Sequence, residues 1–129
     1  MKVERRRAPR IEKNIPVKIG KEEYEIITET KNLSCIGALC KVDKYIEPLT
    51  KLKILLLVPH HDREKKDKYY KIECGGVVVR TEPLSLENGK KAYNIAIYFN
   101  EINELDKEKI AKFVEWNLQN KKRSNNNSF

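Results

Sequence analysis

The sequence has little of what membrane and secreted proteins require. Its longest apolar runs, such as Ile54–Val58, are far shorter than the roughly 20 residues of a membrane-spanning helix. The charged start, residues 1–10, is not followed by an apolar stretch and so does not resemble a signal peptide. We therefore expect a cytoplasmic protein without a membrane span.

Cysteine is scarce as well. Cys35, Cys40 and Cys74 are an odd number of cysteines at irregular spacing, which does not predict a disulfide framework. The first two could ligate zinc with His60 and His61, but their spacing matches no common zinc site. No nucleophile, base or metal set stands out, so we expect a protein that is not an enzyme and that carries no cofactor.

Positive charge is abundant, with 27 Lys and Arg against 19 Asp and Glu and a net charge of +8. This excess favours an anionic partner. The amino-terminal group consists of arginines, Arg5–Arg7 and Arg10, and the planar guanidinium binds phosphates and guanine edges through paired hydrogen bonds. A second group, residues 121–123, leads into an Asn-rich stretch with little to bury, which predicts a disordered tail over 121–129.

Hydrophobic alternation predicts six strands. Gly20 and Lys21 are expected to form the turn of a first hairpin, and the paired Gly75 and Gly76 are typical of a bulge or bend inside a strand. Six strands with no helix between them exclude a parallel βαβ layout and favour an antiparallel barrel or sandwich. The expected strands are 14–19, Tyr24–Thr30, Ala38–Val42, Leu52–Val58, Tyr69–Arg80 and Ala92–Phe99.

Only the end of the chain has a helical pattern. Asn103 is the predicted N-cap, and Trp116 is expected to pack on the barrel rather than to stack on a base. We expect one barrel domain over residues 14–120, preceded by a flexible arm over residues 1–13. One side of the helix is apolar and is expected to pack on the barrel, through Ile110, Phe113, Val114 and Leu118.

Two motifs flank the first predicted hairpin. Arg6 and Arg10 fit the pattern Arg-x-x-x-Arg just before the first strand. Asn32, Ser34 and Gly37 fit Asp/Asn-x-Ser-x-x-Gly after the second strand. Either motif alone is weak evidence, but the two in this order resemble the PilZ family.

The resemblance covers most of the chain. The strands at 76–80 and 93–99 and the closing helix are also similar to that family, although Ala96 stands where glycine is common. The resemblance implies an all-β fold, a six-stranded antiparallel split barrel of PilZ type, with a C-terminal helix. It also implies a receptor for the bacterial second messenger cyclic di-GMP, a ligand with two guanines and two phosphates.

The resemblance further implies roles for single residues. The two arginines of the first motif would bind guanine or phosphate. The asparagine and serine of the second motif would hydrogen-bond a guanine, and its glycine would let backbone come close. In the family, an arginine just before the first motif is associated with two nucleotides that bind as a stacked pair. We therefore include Arg5 in the expected site.

Plainer interpretations stay open. Arginines at a chain start are most often solvated charge, and Asn32, Ser34 and Gly37 alone would be ordinary turn residues. A small basic barrel that binds RNA or single-stranded DNA is an alternative supported by the charge, although the sequence lacks a clear aromatic platform. A third hypothesis is a PilZ-like adaptor that binds no ligand and works only through protein contacts. We favour a cyclic di-GMP receptor that changes its arm and surface to regulate an unknown downstream protein in motility, biofilm formation or secretion.

Overall fold

The structure is a computed structural model that describes residues 8–60, 68–86 and 88–126. Within these ranges it contains six strands and one helix, and every predicted strand is present. The expected turn at Gly20 and Lys21 was wrong, because both residues pair within the first hairpin and the turn follows at residues 22 and 23. No helix in this part of the chain is long and apolar enough to cross a bilayer. The elements are β1 (Pro16–Lys21), β2 (Tyr24–Ser34), β3 (Gly37–Val42), β4 (Lys51–Pro59), β5 (Tyr69–Ser85), β6 (Lys91–Glu101) and α1 (Glu104–Asn126).

The strands form a closed antiparallel barrel in the order β1-β2-β3-β6-β5-β4. β1 pairs with both β2 and β4, which closes the barrel. The register between β5 and β6 shifts between Gly75 and Val77, which confirms the bulge predicted from the paired glycines. The structure thus confirms the expected six-stranded barrel with a C-terminal helix.

The barrel interior is filled by the alternating apolar residues of the strands, and α1 completes the core. Ile110, Phe113 and Val114 of α1 join the buried cluster. The expectation for Leu118 was wrong, because this side chain is 39% exposed. By that turn α1 has left the barrel core, since the side chains from 115 to 120 are all exposed or half-buried.

The residues at the two ends of α1 explain where the helix begins and ends. Asn103 caps the start as predicted, since its Oδ1 accepts a hydrogen bond of 2.8 Å from the backbone N–H of Asp106. At the other end the helix runs to Asn126, into the segment 121–129 that was expected to be a disordered tail. Lysine and arginine are good helix formers and favourable near a helix C-terminus, which explains this extension.

Residues 11–15, which we call the latch, are fixed on β2. Ile11 is buried and exchanges two backbone hydrogen bonds with Leu33, of 3.0 and 2.9 Å. The flexible arm was expected to extend to residue 13, whereas this pairing attaches the chain from Ile11 onward. The physical reason is that one isolated apolar side chain inserts into the core, without the repeated pattern that marks a strand.

Thr30 of β2 anchors the rest of the latch. Its side chain is fully buried, and its Oγ1 donates to the carbonyl of Lys13 (2.6 Å) and accepts from the N–H of Ile15 (3.0 Å). The backbone N–H of Thr30 donates to the carbonyl of Ile15, and the side-chain amide of Asn14 donates to the carbonyl of Thr30. A single buried threonine thus holds three consecutive residues.

Replacement of Thr30 tests this anchor. Thr30→Val keeps the shape of the side chain but leaves the buried N–H of Ile15 without its acceptor. We expect the free energy of unfolding to fall by about 2–3 kcal/mol, measured by urea denaturation. The matched control is Thr28→Val on the same strand, which removes only an exposed hydrogen bond to the carbonyl of Lys41 and should cost less than about 1 kcal/mol. Equal losses in the two variants would contradict the anchor.

Candidate functional site

The second motif forms the tight turn between β2 and β3. Ser34 pairs with Gly37 at the end of this hairpin, and the Ser34 side chain is fully buried. Its Oγ accepts a hydrogen bond of 3.2 Å from the N–H of Ile36 and donates a longer one of 3.5 Å to the carbonyl of Gly37. Ser34 therefore shapes its own turn, and its contact with guanine stays a prediction.

Gly37 allows two strands to approach each other closely. A Cβ atom at this position would lie 2.2 Å from the carbonyl oxygen of Ile97 on β6. The backbone that comes close here is therefore that of β6. Glycine at position 37 is needed for the pairing of β3 with β6, whatever else it contributes to a ligand site.

Arg10 and Asn32 connect the first motif to the second. The Arg10 Nη1 donates a hydrogen bond of 3.2 Å to the Asn32 Oδ1, on the exposed side of the barrel. The latch brings them together, because it directly follows Arg10 and runs along β2. A register shift in the β2–β3 pairing between Thr30 and Asn32 is a bulge, a feature that commonly re-aims a side chain.

A groove of about 720 Å³ adjoins this pair. Its volume lies within the roughly 300–1,000 Å³ that is usual for small-molecule sites. Its two walls are the chain around the latch and the late turns of α1. The groove is lined by Arg10, Ile11, Glu12, Lys13, Asn32, Trp116, Asn117, Leu118 and Asn120.

The wall formed by α1 was missed by the sequence analysis. Trp116 was expected to pack on the barrel, yet it is 38% exposed and lines the groove. Phe113 and Val114 occupy the buried side of the helix instead. The available indication was an aromatic residue in a turn where polar residues, Asn117, Gln119 and Asn120, replace most of the apolar ones.

The other expected site residues, Arg5 and Arg6, lie outside the described residues.

Elsewhere, a second groove of about 950 Å³ on the side of β1, β4 and β5 is lined by both lysines and glutamates and by no motif residue. Burial raises the pKa of the Cys40 and Cys74 thiols to about 12, which makes them poor nucleophiles. The groove beside Arg10 is therefore the candidate site.

Fold and site together define a small β-barrel with an exposed guanidinium beside a groove of ligand size. The sequence matches the PilZ domain family over residues 4–116. The chain therefore belongs to the PilZ domain family, as the resemblance of the two motifs predicted. No curated protein matches the chain.

Solved structures share the fold. The inhibitor of motility MotI/DgrA of Bacillus subtilis has a TM-score of 0.75 and 21% identity over 92% of this chain and 53% of its own. The PilZ domain of YcgR from Escherichia coli, with c-di-GMP, has a TM-score of 0.67 and 8% identity, over 98% of this chain and 100% of its own. MrkH of K. pneumonia, in complex with c-di-GMP, has a TM-score of 0.70 and 19% identity, over 95% of this chain and 56% of its own. The chain thus spans about half the length of MotI and MrkH.

A substitution at Gly37 tests its role in the pairing of the strands. Gly37→Ala would place a methyl group 2.2 Å from the Ile97 carbonyl oxygen, so β3 and β6 must separate. We expect a loss of about 2–4 kcal/mol in the free energy of unfolding, measured by thermal and urea denaturation. Gly20→Ala is the matched control, because a Cβ atom there would lie 3.8 Å from its nearest neighbour, the Cγ atom of Glu25. Similar stability of the two variants would contradict the close approach.

Proposed function

We propose that the protein is a cyclic di-GMP receptor whose binding site is the groove beside Arg10 and Asn32. The observation that carries the proposal is the hydrogen bond between these two side chains. It joins two motifs that are distant in sequence at one edge of a groove of suitable size. YcgR and MrkH, which share the fold, have solved structures with the same ligand.

The chemistry of the pair suits the ligand. A guanidinium has several N–H donors, and the bond to Asn32 uses one of them. The others can bind the O6 and N7 atoms of guanine as a fork, or a phosphate. Because Asn32 already orients the side chain, binding loses less conformational entropy than it would with a free arginine.

The proposal includes a rearrangement of the amino-terminal arm when the ligand binds. Since the latch begins at Ile11, the part of the arm that could close over a ligand is residues 1–10. Arg5 and Arg6 would bring further guanidinium groups to the phosphates, as the family pattern implies. The altered arm and surface charge would then regulate a downstream protein, in motility, biofilm formation or secretion, without catalysis. The shared fold with an inhibitor of motility supports the first of these outputs.

Arginine substitutions test the site. Arg10→Ala should weaken cyclic di-GMP binding about 10- to 150-fold, because it removes charge-assisted hydrogen bonds worth about 1.5–3 kcal/mol. Arg10→Lys should also bind weakly, since an ammonium cannot reproduce the fork. Titration calorimetry measures both affinities. Arg80→Ala is the matched control, because it removes an exposed arginine that pairs with Glu82 away from the groove, and it should bind like the native protein.

Two outcomes would contradict the assignment. One is an unchanged affinity in Arg10→Ala with the fold intact. The other is equal or tighter binding of a linear oligonucleotide of the same charge, which would favour the RNA or single-stranded DNA alternative. A salt titration of both ligands separates them further, because non-specific binding to a basic surface weakens steeply with ionic strength.

Stoichiometry tests the role of Arg5. Two stacked nucleotides bring four phosphates into one site, and an additional guanidinium offsets their repulsion and can stack on a guanine. We therefore expect calorimetry to find two nucleotides per chain for the native protein and one for Arg5→Leu. A ratio of one in the native protein would reject the stacked pair and leave the receptor assignment intact.

A further inference from the structure

The late turns of α1 place an aromatic surface in the same groove as the two motifs. Trp116 is the only tryptophan of the chain, and 38% of it is exposed where it lines the groove with Arg10 and Asn32. Leu118, also in the groove lining, is 39% exposed. An indole next to a guanidinium offers a flat apolar face beside hydrogen-bond donors, which is the combination that binds a nucleobase.

Two asparagines next to Trp116 add acceptors to this wall. The side-chain amide of Asn117 donates to the carbonyl of Phe113 (2.9 Å), and that of Asn120 donates to the carbonyl of Trp116 (3.0 Å). Only the NH₂ group of an asparagine can donate, so these bonds assign the amide nitrogens to the helix backbone. Both residues line the groove, so their Oδ1 atoms are left as acceptors in this wall.

These groups complement guanine on both of its edges. Guanine presents the acceptors O6 and N7, which suit the guanidinium of Arg10. Its N1–H and N2 amino groups are donors, which suit the carboxamide oxygens of Asn117 and Asn120. Adenine lacks the N2 amino group and the N1–H, so the same acceptors discriminate against it.

We infer that the late turns of α1 form a guanine subsite, in which Trp116 stacks on one base of the nucleotide and Asn117 and Asn120 accept hydrogen bonds from it. This inference rests on the proposed function. It assigns specificity for guanine to residues that lie outside both sequence motifs.

The single tryptophan makes the subsite directly observable. Titration of the native protein with cyclic di-GMP should quench the Trp116 fluorescence with the same dissociation constant that calorimetry gives. Trp116→Ala should weaken binding about 5- to 150-fold, the range that stacking of a base on an aromatic side chain contributes. Trp116→Phe should retain most of the affinity. Leu105→Ala, which truncates a 70% exposed side chain at the other end of α1, is the matched control and should bind normally.

The two asparagines are tested by selectivity. The double variant Asn117→Ala/Asn120→Ala, in which alanine suits the helix, should lower the ratio of affinities for cyclic di-GMP over cyclic di-AMP at least fivefold. An unchanged ratio would overturn the part of the inference that concerns the asparagines.

The failure of the subsite can be distinguished from the failure of the receptor assignment. Calorimetric binding of cyclic di-GMP with no change in Trp116 fluorescence, and with native affinity in Trp116→Ala, would overturn the subsite and leave the receptor standing. An absence of binding to the native protein would overturn both. The fluorescence experiment uses the native chain, so it does not depend on how a variant folds.

Discussion

The hydroxyl group of Thr30 connects the barrel to the candidate site. It donates to the Lys13 carbonyl and accepts from the Ile15 N–H inside the protein, where an unpaired N–H would be costly. These bonds hold the latch against β2, together with the backbone pairing of Ile11 with Leu33. Arg10 directly precedes the latch, so its side chain starts from a fixed point and reaches Asn32. Without the latch, the arginine would belong to an unattached arm, and the groove would lose one of its walls.

The turn between β2 and β3 serves stability and the site at the same time. Ser34 is buried and bonds to its own turn, and Gly37 permits the contact with Ile97 of β6, as a plain structural interpretation of the motif requires. The same turn and the bulge after Thr30 set the position of Asn32 at the end of β2. The structural roles of this motif are therefore a condition for its proposed role in binding, rather than an alternative to it.

The sequence predicted the elements whose physical cause is local and repeated. Strands with one buried face alternate, and the paired glycines at 75 and 76 indicated their bulge because glycine marks such positions. The bulge after Thr30 has no glycine, and Ile11 is one isolated apolar residue, so neither could be found from a pattern. Helical spacing showed which side of α1 is buried, but not that a groove separates the late turns of α1 from the latch, which is why Trp116 was misassigned. Arg10 and Asn32 were grouped through the resemblance to a family, because nothing local relates two residues that are 22 positions apart.

A double-mutant cycle measures the dependence of Arg10 on Asn32 most directly. The affinity of cyclic di-GMP is determined by calorimetry for the native protein, Arg10→Ala, Asn32→Ala and the double variant. If Asn32 orients the Arg10 guanidinium for the ligand, the two losses overlap, and the double variant should bind at least about 0.5 kcal/mol better than the sum of the single losses predicts. Strictly additive losses, or no loss in either single variant, would contradict the account of a binding site organised by this pair.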